Sequence, residues 1–416
     1  MQSSPQEQVT QYTEEISKHP DNHEAYFYRG SAYLSLGEYE LALHDLTKSI
    51  ELKSNLAEKY FKRGLVYYHL EEFENAIDDF STSLQHKDGA FASLNNRALA
   101  YLNRGSSYMA IGKTDEAFAD FNKTIELNPD EQLAWYNRGG MLLEQEKYKD
   151  AIADFTRSIE LLPKEEKYHN RAICLDALGK CQEAIEDFTA AIDTNPQYVE
   201  SYYSRGLVYT DLKEFEKAVE DFSSALEINP DFTAAKYQRG RVYLLELEKP
   251  EEAERDLLQV VEVEPEDVYS HFYLSVISYG NERYEETIKK LTYVLSLDSE
   301  FKQAYFFRGK AYYHIEEYEK AIEDLTVIID ERPDMVEMLY YRGLSYFHLE
   351  NYENALKDMN NVIATTQGFS RSYLARGACY AEFGEIDKAI QDFSKALELE
   401  PGLEIAKEEL ARLKKK

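Results

Sequence analysis

The 416-residue sequence predicts an all-α fold, a solenoid of stacked α–α helix pairs, and three observations carry that prediction. The chain resembles itself at a period of 34 residues: "AYFYRGSAYLSLGEYELALHDLTKSIEL" from Ala25 and "AYFFRGKAYYHIEEYEKAIEDLTVII" from Ala304 are near copies, and a period of this size marks stacked repeats. Each copy holds two stretches with apolar residues at helical spacing, one built around a Gly and the other around an Ala. Seven copies close on a proline (Pro129, Pro163, Pro196, Pro230, Pro265, Pro333 and Pro401), which stops the second helix before the next copy begins. No single pair is large enough to bury its apolar stripe, so neighbours must stack and share one core.

Taken in order, residues 1–22 read as a capping half-repeat, with Val9, Tyr12 and Ile16 forming a stripe that stops at Pro20. Eleven two-helix units follow over 23–403, beginning near His23, Ala57, Phe91, Gln132, Glu165, Val199, Thr233, Val268, Lys302, Val336 and Ser370. The third carries seven extra residues, "FASLNNR" over 91–97, which predict a lengthened first helix from which Arg97 projects. An insertion near Pro250, within 246–253, makes the stretch 246–290 the expected weak joint. Over 404–416, Ala406, Leu410 and Leu413 continue a stripe from Leu403 and predict a capping helix, with Lys414 to Lys416 at its negative end.

With each unit numbered so that its Gly stands at position 8, an Arg precedes it at position 7, as in Arg205-Gly206 of "SYYSRGLVY". Gly is a poor helix former and a buried guanidinium is costly, so both need a reason. The Gly predicts a close approach of the second helix. For the Arg, an Asp follows sixteen residues later: Arg29 with Asp45, Arg63 with Asp79, Arg104 with Asp120, Arg138 with Asp154, Arg171 with Asp187, Arg205 with Asp221, Arg308 with Asp324, Arg342 with Asp358 and Arg376 with Asp392. In the seventh unit the insertion widens the spacing to seventeen, from Arg239 to Asp256. The eighth has Leu274 and Lys290 instead, so both partners vanish together. The pattern predicts a ladder of semi-buried ion pairs within repeats that fixes helix register.

These units resemble the tetratricopeptide repeat family: in the sixth, Tyr202, Gly206, Tyr209, Ala218, Phe222 and Pro230 occupy the family's positions 4, 8, 11, 20, 24 and 32. The resemblance covers roughly Glu7 to Leu413 and carries an Arg-Gly variant at positions 7 and 8. It implies a right-handed superhelix with first helices lining a concave groove and second helices facing outward. It also implies that positions 2, 5, 6, 9, 12 and 13 face the groove.

Position 6 then supplies Asn103, Asn137, Asn170 and Gln238 through the middle of the chain, and Tyr273, Phe307 and Tyr341 after it. A side-chain amide has one donor and one acceptor end, matching a peptide unit. Position 5 adds Tyr136, Tyr203 and Tyr237, candidate aromatic anchors. Lys62 at position 6 and Arg241 and Lys310 at position 9, with His69, His314 and His348 nearby, are the expected contacts for an acidic partner. The lysine and asparagine pattern with which co-chaperone members of the family clamp a terminal carboxylate is absent from positions 5 and 9.

A net charge of -31 argues against nucleic acid and anionic membrane surfaces as partners. No basic start, long apolar run, metal-spaced Cys or His pair, or phosphate loop is present, and Cys174, Cys181 and Cys379 fall where helices pack. The sequence thus points to a cytoplasmic, non-enzymatic adaptor without cofactor or metal that binds a protein or peptide in its groove. A self-associating scaffold, a homo-oligomer built on the same surface, is the alternative.

Overall fold

The computed structural model describes residues 3–86, 91 and 93–414. Among them are 24 α-helices and no strand. The chain divides into two compact units, 1–213 and 214–416. Of the expected features, Ala92 of the third-unit insertion and Lys415 and Lys416 of the cationic end lie outside the described residues.

Each repeat folds as a first helix (A) and a second helix (B); in repeat 1 these are His23–Leu36 and Tyr39–Leu52. Within each unit the A helix packs on its own B helix, the B helix on the next A helix, and neighbouring A helices touch. In each unit the A helices therefore form a row of neighbours. At the amino end Pro5–Lys18 starts with a capping box of Ser4 and Glu7, and its Tyr12 ring stacks on Tyr28 with centroids 5.3 Å apart. At the other end Glu404–Leu413 buries Ala406 and Leu413 against the last B helix, Ile386–Leu399.

The small residues at position 8 are explained by what faces them. A Cβ on Gly64, Gly105, Gly139 or Gly377 would lie 2.8–2.9 Å from a ring carbon of Phe80, Phe121, Phe155 or Phe393. These four phenylalanines are fully buried, so the rings have nowhere to retreat.

The ion-pair ladder exists. In nine repeats whose partners share a unit, the guanidinium grips the carboxylate with two bonds, 2.6–2.8 Å from Nε and 2.7–2.9 Å from Nη2. The sequence expectation was incomplete, because Nη1 reaches back to the preceding B helix or amino-terminal helix. Arg29 donates to Thr13, Arg104 to Ser81, Arg138 to Asn122 and Arg205 to Thr189. Each guanidinium thus ties its own pair of helices to the element before it. In several repeats tyrosines at positions 4 and 11 flank it, as where Arg308 lies 5.6 Å from the Tyr305 centroid and 5.9 Å from that of Tyr312. In repeat 8, Leu274 is buried in the apolar core in place of the Arg, and Lys290 pairs with Glu286 at 3.0 Å.

Two buried lysines were not foreseen. Lys59 and Lys167 occupy position 3 of their A helices, where most repeats have Ala or Ser, and are 2% and 1% exposed. Their ammonium groups donate to backbone carbonyls at the end of the preceding B helix: Lys59 to Ser49 and Lys53 at 2.6 and 2.9 Å, Lys167 to Leu162 at 2.9 Å. The cation meets the negative pole of that helix. Desolvation still pulls the Lys59 ammonium down to about 8.

The irregular stretches behave differently from one another. In repeat 3 the A helix lengthens to Leu94–Ala110, and Arg97 is half-buried rather than projecting. The stretch 246–290 lies inside the second unit, where consecutive helices pack without a break. The extra residue is absorbed in the turn before Pro250, which starts its helix at a position that needs no backbone donor.

All eleven A–B turns place one residue in the left-handed region. Four use Gly37, Gly112, Gly179 and Gly384; seven use Glu71, Glu146, Lys213, Glu248, Glu282, Glu316 and Glu350, with φ from 53 to 65°. A side chain there is strained. Glu316→Gly is expected to raise stability by about 0.5–1 kcal/mol. Denaturant unfolding checks it, with Gly112→Ala as the opposite control.

Candidate functional site

The candidate residues all stand on A helices and are half-buried rather than exposed. In the first unit, Tyr136 packs its ring 5.9 Å from that of Phe155. Its hydroxyl accepts a bond of 3.1 Å from the Asn170 amide. Desolvation, with a smaller push from Glu166, raises the Tyr136 phenol above its ordinary value. Asn103 turns its amide nitrogen onto the Leu99 carbonyl of its own helix at 2.7 Å. Two members of the predicted amide row are therefore partly engaged, while Asn137 makes no side-chain hydrogen bond among the described residues. Tyr203 is half-buried in the last A helix of this unit, Val199–Asp211.

The row interrupts at His169, which the sequence reading passed over. It stands at position 5, where most other repeats have Phe or Tyr, and is 8% exposed between the rings of Phe188 and Tyr198 at 5.4 and 5.3 Å. Its Nδ1 lies 3.0 Å from Ser201 Oγ. Burial lowers its titration to about 4, so the ring is neutral at pH 7.

In the second unit, Tyr237 and Tyr273 lie side by side with centroids 6.3 Å apart. Burial, reinforced by Tyr273, raises the Tyr237 phenol far above its ordinary value. One helical turn apart beside them, Gln238 Oε1 and Arg241 Nε are buried without a hydrogen-bond partner. A buried polar group left unpaired is unusual and costly.

Further along, Tyr273 gives way to a cluster the spacing did not reveal. Phe307, Tyr341, Tyr279 and Phe306 surround Lys310, whose ammonium also bonds Glu337 at 2.7 Å. Lys310 therefore does not stand free for an acidic partner. His69, His314 and His348 are exposed and stack flat on Tyr39, Tyr284 and Tyr318 of the preceding repeat, 4.6–4.9 Å away. Desolvation and the nearby Lys310 lower the His314 titration further. These contacts join adjacent repeats, which is a packing role.

Among the described residues no three His, Cys, Asp or Glu gather as a metal site. Cys174 and Cys379 are buried, their thiols pushed up to about 11 and 12 by desolvation. No helix among the described residues is long and apolar enough to cross a membrane.

Family comparison agrees with this geometry. Tetratricopeptide repeat models match residues 199–232 and 370–403, and 102–166, 242–289, 279–335 and 318–368; a third, described as TPR repeat, matches 30–71. The chain belongs to the tetratricopeptide repeat family, a family of protein-interaction scaffolds that are generally non-enzymatic and bind protein partners. No curated protein matches the sequence.

Many solved structures are similar, three among them as follows. A crystal structure of MamA is 25% identical, with 39% of this chain and 94% of that one covered and a TM-score of 0.37. The Cut9–Hcn1 hetero-tetramer of APC/C is 14% identical over 97% of this chain and 92% of that one, with a TM-score of 0.44. A tetratricopeptide repeat protein from Parabacteroides merdae is 21% identical over 68% and 98%, with a TM-score of 0.37.

Proposed function

We propose that this protein is a non-enzymatic adaptor that holds a peptide segment of another protein along its row of A helices. In this reading residues 1–22 and 404–416 cap eleven repeats over 23–403, leaving the inner side as the binding groove. The observation that carries it is the half-buried pair Gln238 and Arg241, whose Oε1 and Nε lie covered and unpaired one turn apart in the free chain and reach a ligand when these side chains turn outward. An extended peptide offers an N–H and a C=O that match them, whereas a helix has already paired its own. Asn137 in the first unit offers the same amide chemistry.

Such a site trades stability for binding. Gln238→Met keeps the shape and removes the orphaned oxygen, so it should raise stability by about 1 kcal/mol while lowering partner recovery in affinity capture. Combined with Asn137→Ala, recovery should fall further. Unchanged recovery by a folded double variant would remove the groove reading. A mass from light scattering that rises with concentration, and falls in the same variant, would identify the partner as a second copy.

A further inference from the structure

Lys310 leaves the A helix Lys302–His314 of repeat 9 and ends among four rings from three repeats. Its Nζ lies 5.0 Å from the centroid of Tyr279, 4.8 Å from Phe306, 5.8 Å from Phe307 and 5.2 Å from Tyr341. Glu337 of repeat 10 closes the site with its carboxylate at 2.7 Å. The Lys310 side chain is 11% exposed, that of Glu337 56%. An ion pair needs no rings, and the convergence of four negative ring faces with one carboxylate is the chemistry that recognises an ammonium group.

We propose that this face of repeats 8 to 10 is a recognition site for a quaternary ammonium group, such as a trimethylated lysine side chain of a partner, with Lys310 as the resident occupant that it displaces. A primary ammonium is strongly hydrated and bonds a carboxylate well. Because Glu337 is largely exposed, the Lys310–Glu337 pair can turn out to solvent together. A quaternary ammonium has no N–H to satisfy and is cheaply dehydrated, so it gains more from the rings than Lys310 does. The net charge of -31 draws cations toward the chain. The partner's nature rests on the adaptor reading, while the cage rests on its own geometry.

Tetramethylammonium chloride is the probe, titrated into the full chain at constant ionic strength with sodium chloride as the control and followed by calorimetry and aromatic NMR signals. The wild type should bind on the order of millimolar, and Lys310→Ala, its cage vacated, about tenfold more tightly. Adding Tyr341→Leu to Lys310→Ala should weaken binding again by about tenfold. A folded Lys310→Ala chain that binds no more tightly, or a Tyr341→Leu change without effect, overturns the proposal. If Lys310→Ala fails to fold, Lys310→Gln removes the charge while keeping the reach, and the same two outcomes decide. A chain that binds the probe but captures no partner counts against the adaptor reading alone; capture without probe binding counts against the cage alone.

Discussion

Asp358→Ala is expected to destabilise repeat 10 and its neighbours by about 3–5 kcal/mol, the largest single-residue loss in this molecule. The Asp358 and Arg342 side chains are 2% and 13% exposed and joined by two bonds of 2.8 Å. Removing the carboxylate strands a guanidinium that keeps Thr326, at 3.2 Å, the Tyr346 ring, 5.9 Å from its centre, and the weaker pull of the Asp330 charge. The loss measures that stranded charge rather than the net worth of the pair. Burial pushes the carboxyls of Asp79 and Asp324 up despite their arginines, while the same pairing holds Arg63 and Arg308 above their ordinary value, and well-packed apolar residues of similar size serve such a buried position about as well as an ion pair. Replacing both members, as Arg342→Leu with Asp358→Leu, should therefore recover most of the stability. Repeat 8 already does without the pair, with Leu274 buried in the Arg position. Hydrogen exchange of amides in repeat 10 is the measurement, because a solenoid opens locally. A single variant as stable as the wild type would mean the ladder holds nothing.

Acid should weaken the first unit by about 3 kcal/mol through His169 alone. The folded imidazole titrates at about 4 against an ordinary 6.5, because burial disfavours its charged form despite Glu200. Between these values the unfolded chain binds the extra proton and the folded chain does not, so stability falls as pH drops from 6.5 toward 4 and this contribution is gone below 4. His169→Phe, matching the aromatics that other repeats carry at position 5, should flatten the profile in that window. Unfolding midpoints compared at pH 7 and pH 4.5 test it, and parallel losses in both proteins would show that His169 is not the group responsible.

Eleven copies of one pattern made much of this architecture legible. The 34-residue period, the Gly at position 8 and the joint loss of Arg and Asp in one copy disclosed helix pairing, close approach and the ion pair. Repetition supplied an internal comparison that a single domain lacks. What varied from copy to copy stayed hidden. The third bond of a guanidinium goes to a residue such as Thr13, Ser81 or Asn122, polar residues that read individually as ordinary surface. The strained turns hid similarly, since a Glu in a turn looks solvated whatever its φ.

The candidate site was legible as positions and not as contacts. Helical spacing put Asn103, Asn170, Phe307 and Lys310 on one side of the A helices, but their partners come from other turns and other repeats. By itself the sequence determined the repeat unit, the all-α class and the Arg–Asp ladder, because these follow from spacing along one chain. Only the tertiary structure decided which polar atoms are left unpaired and that Lys310 sits within four rings, because those depend on side chains from adjacent repeats competing for the same space.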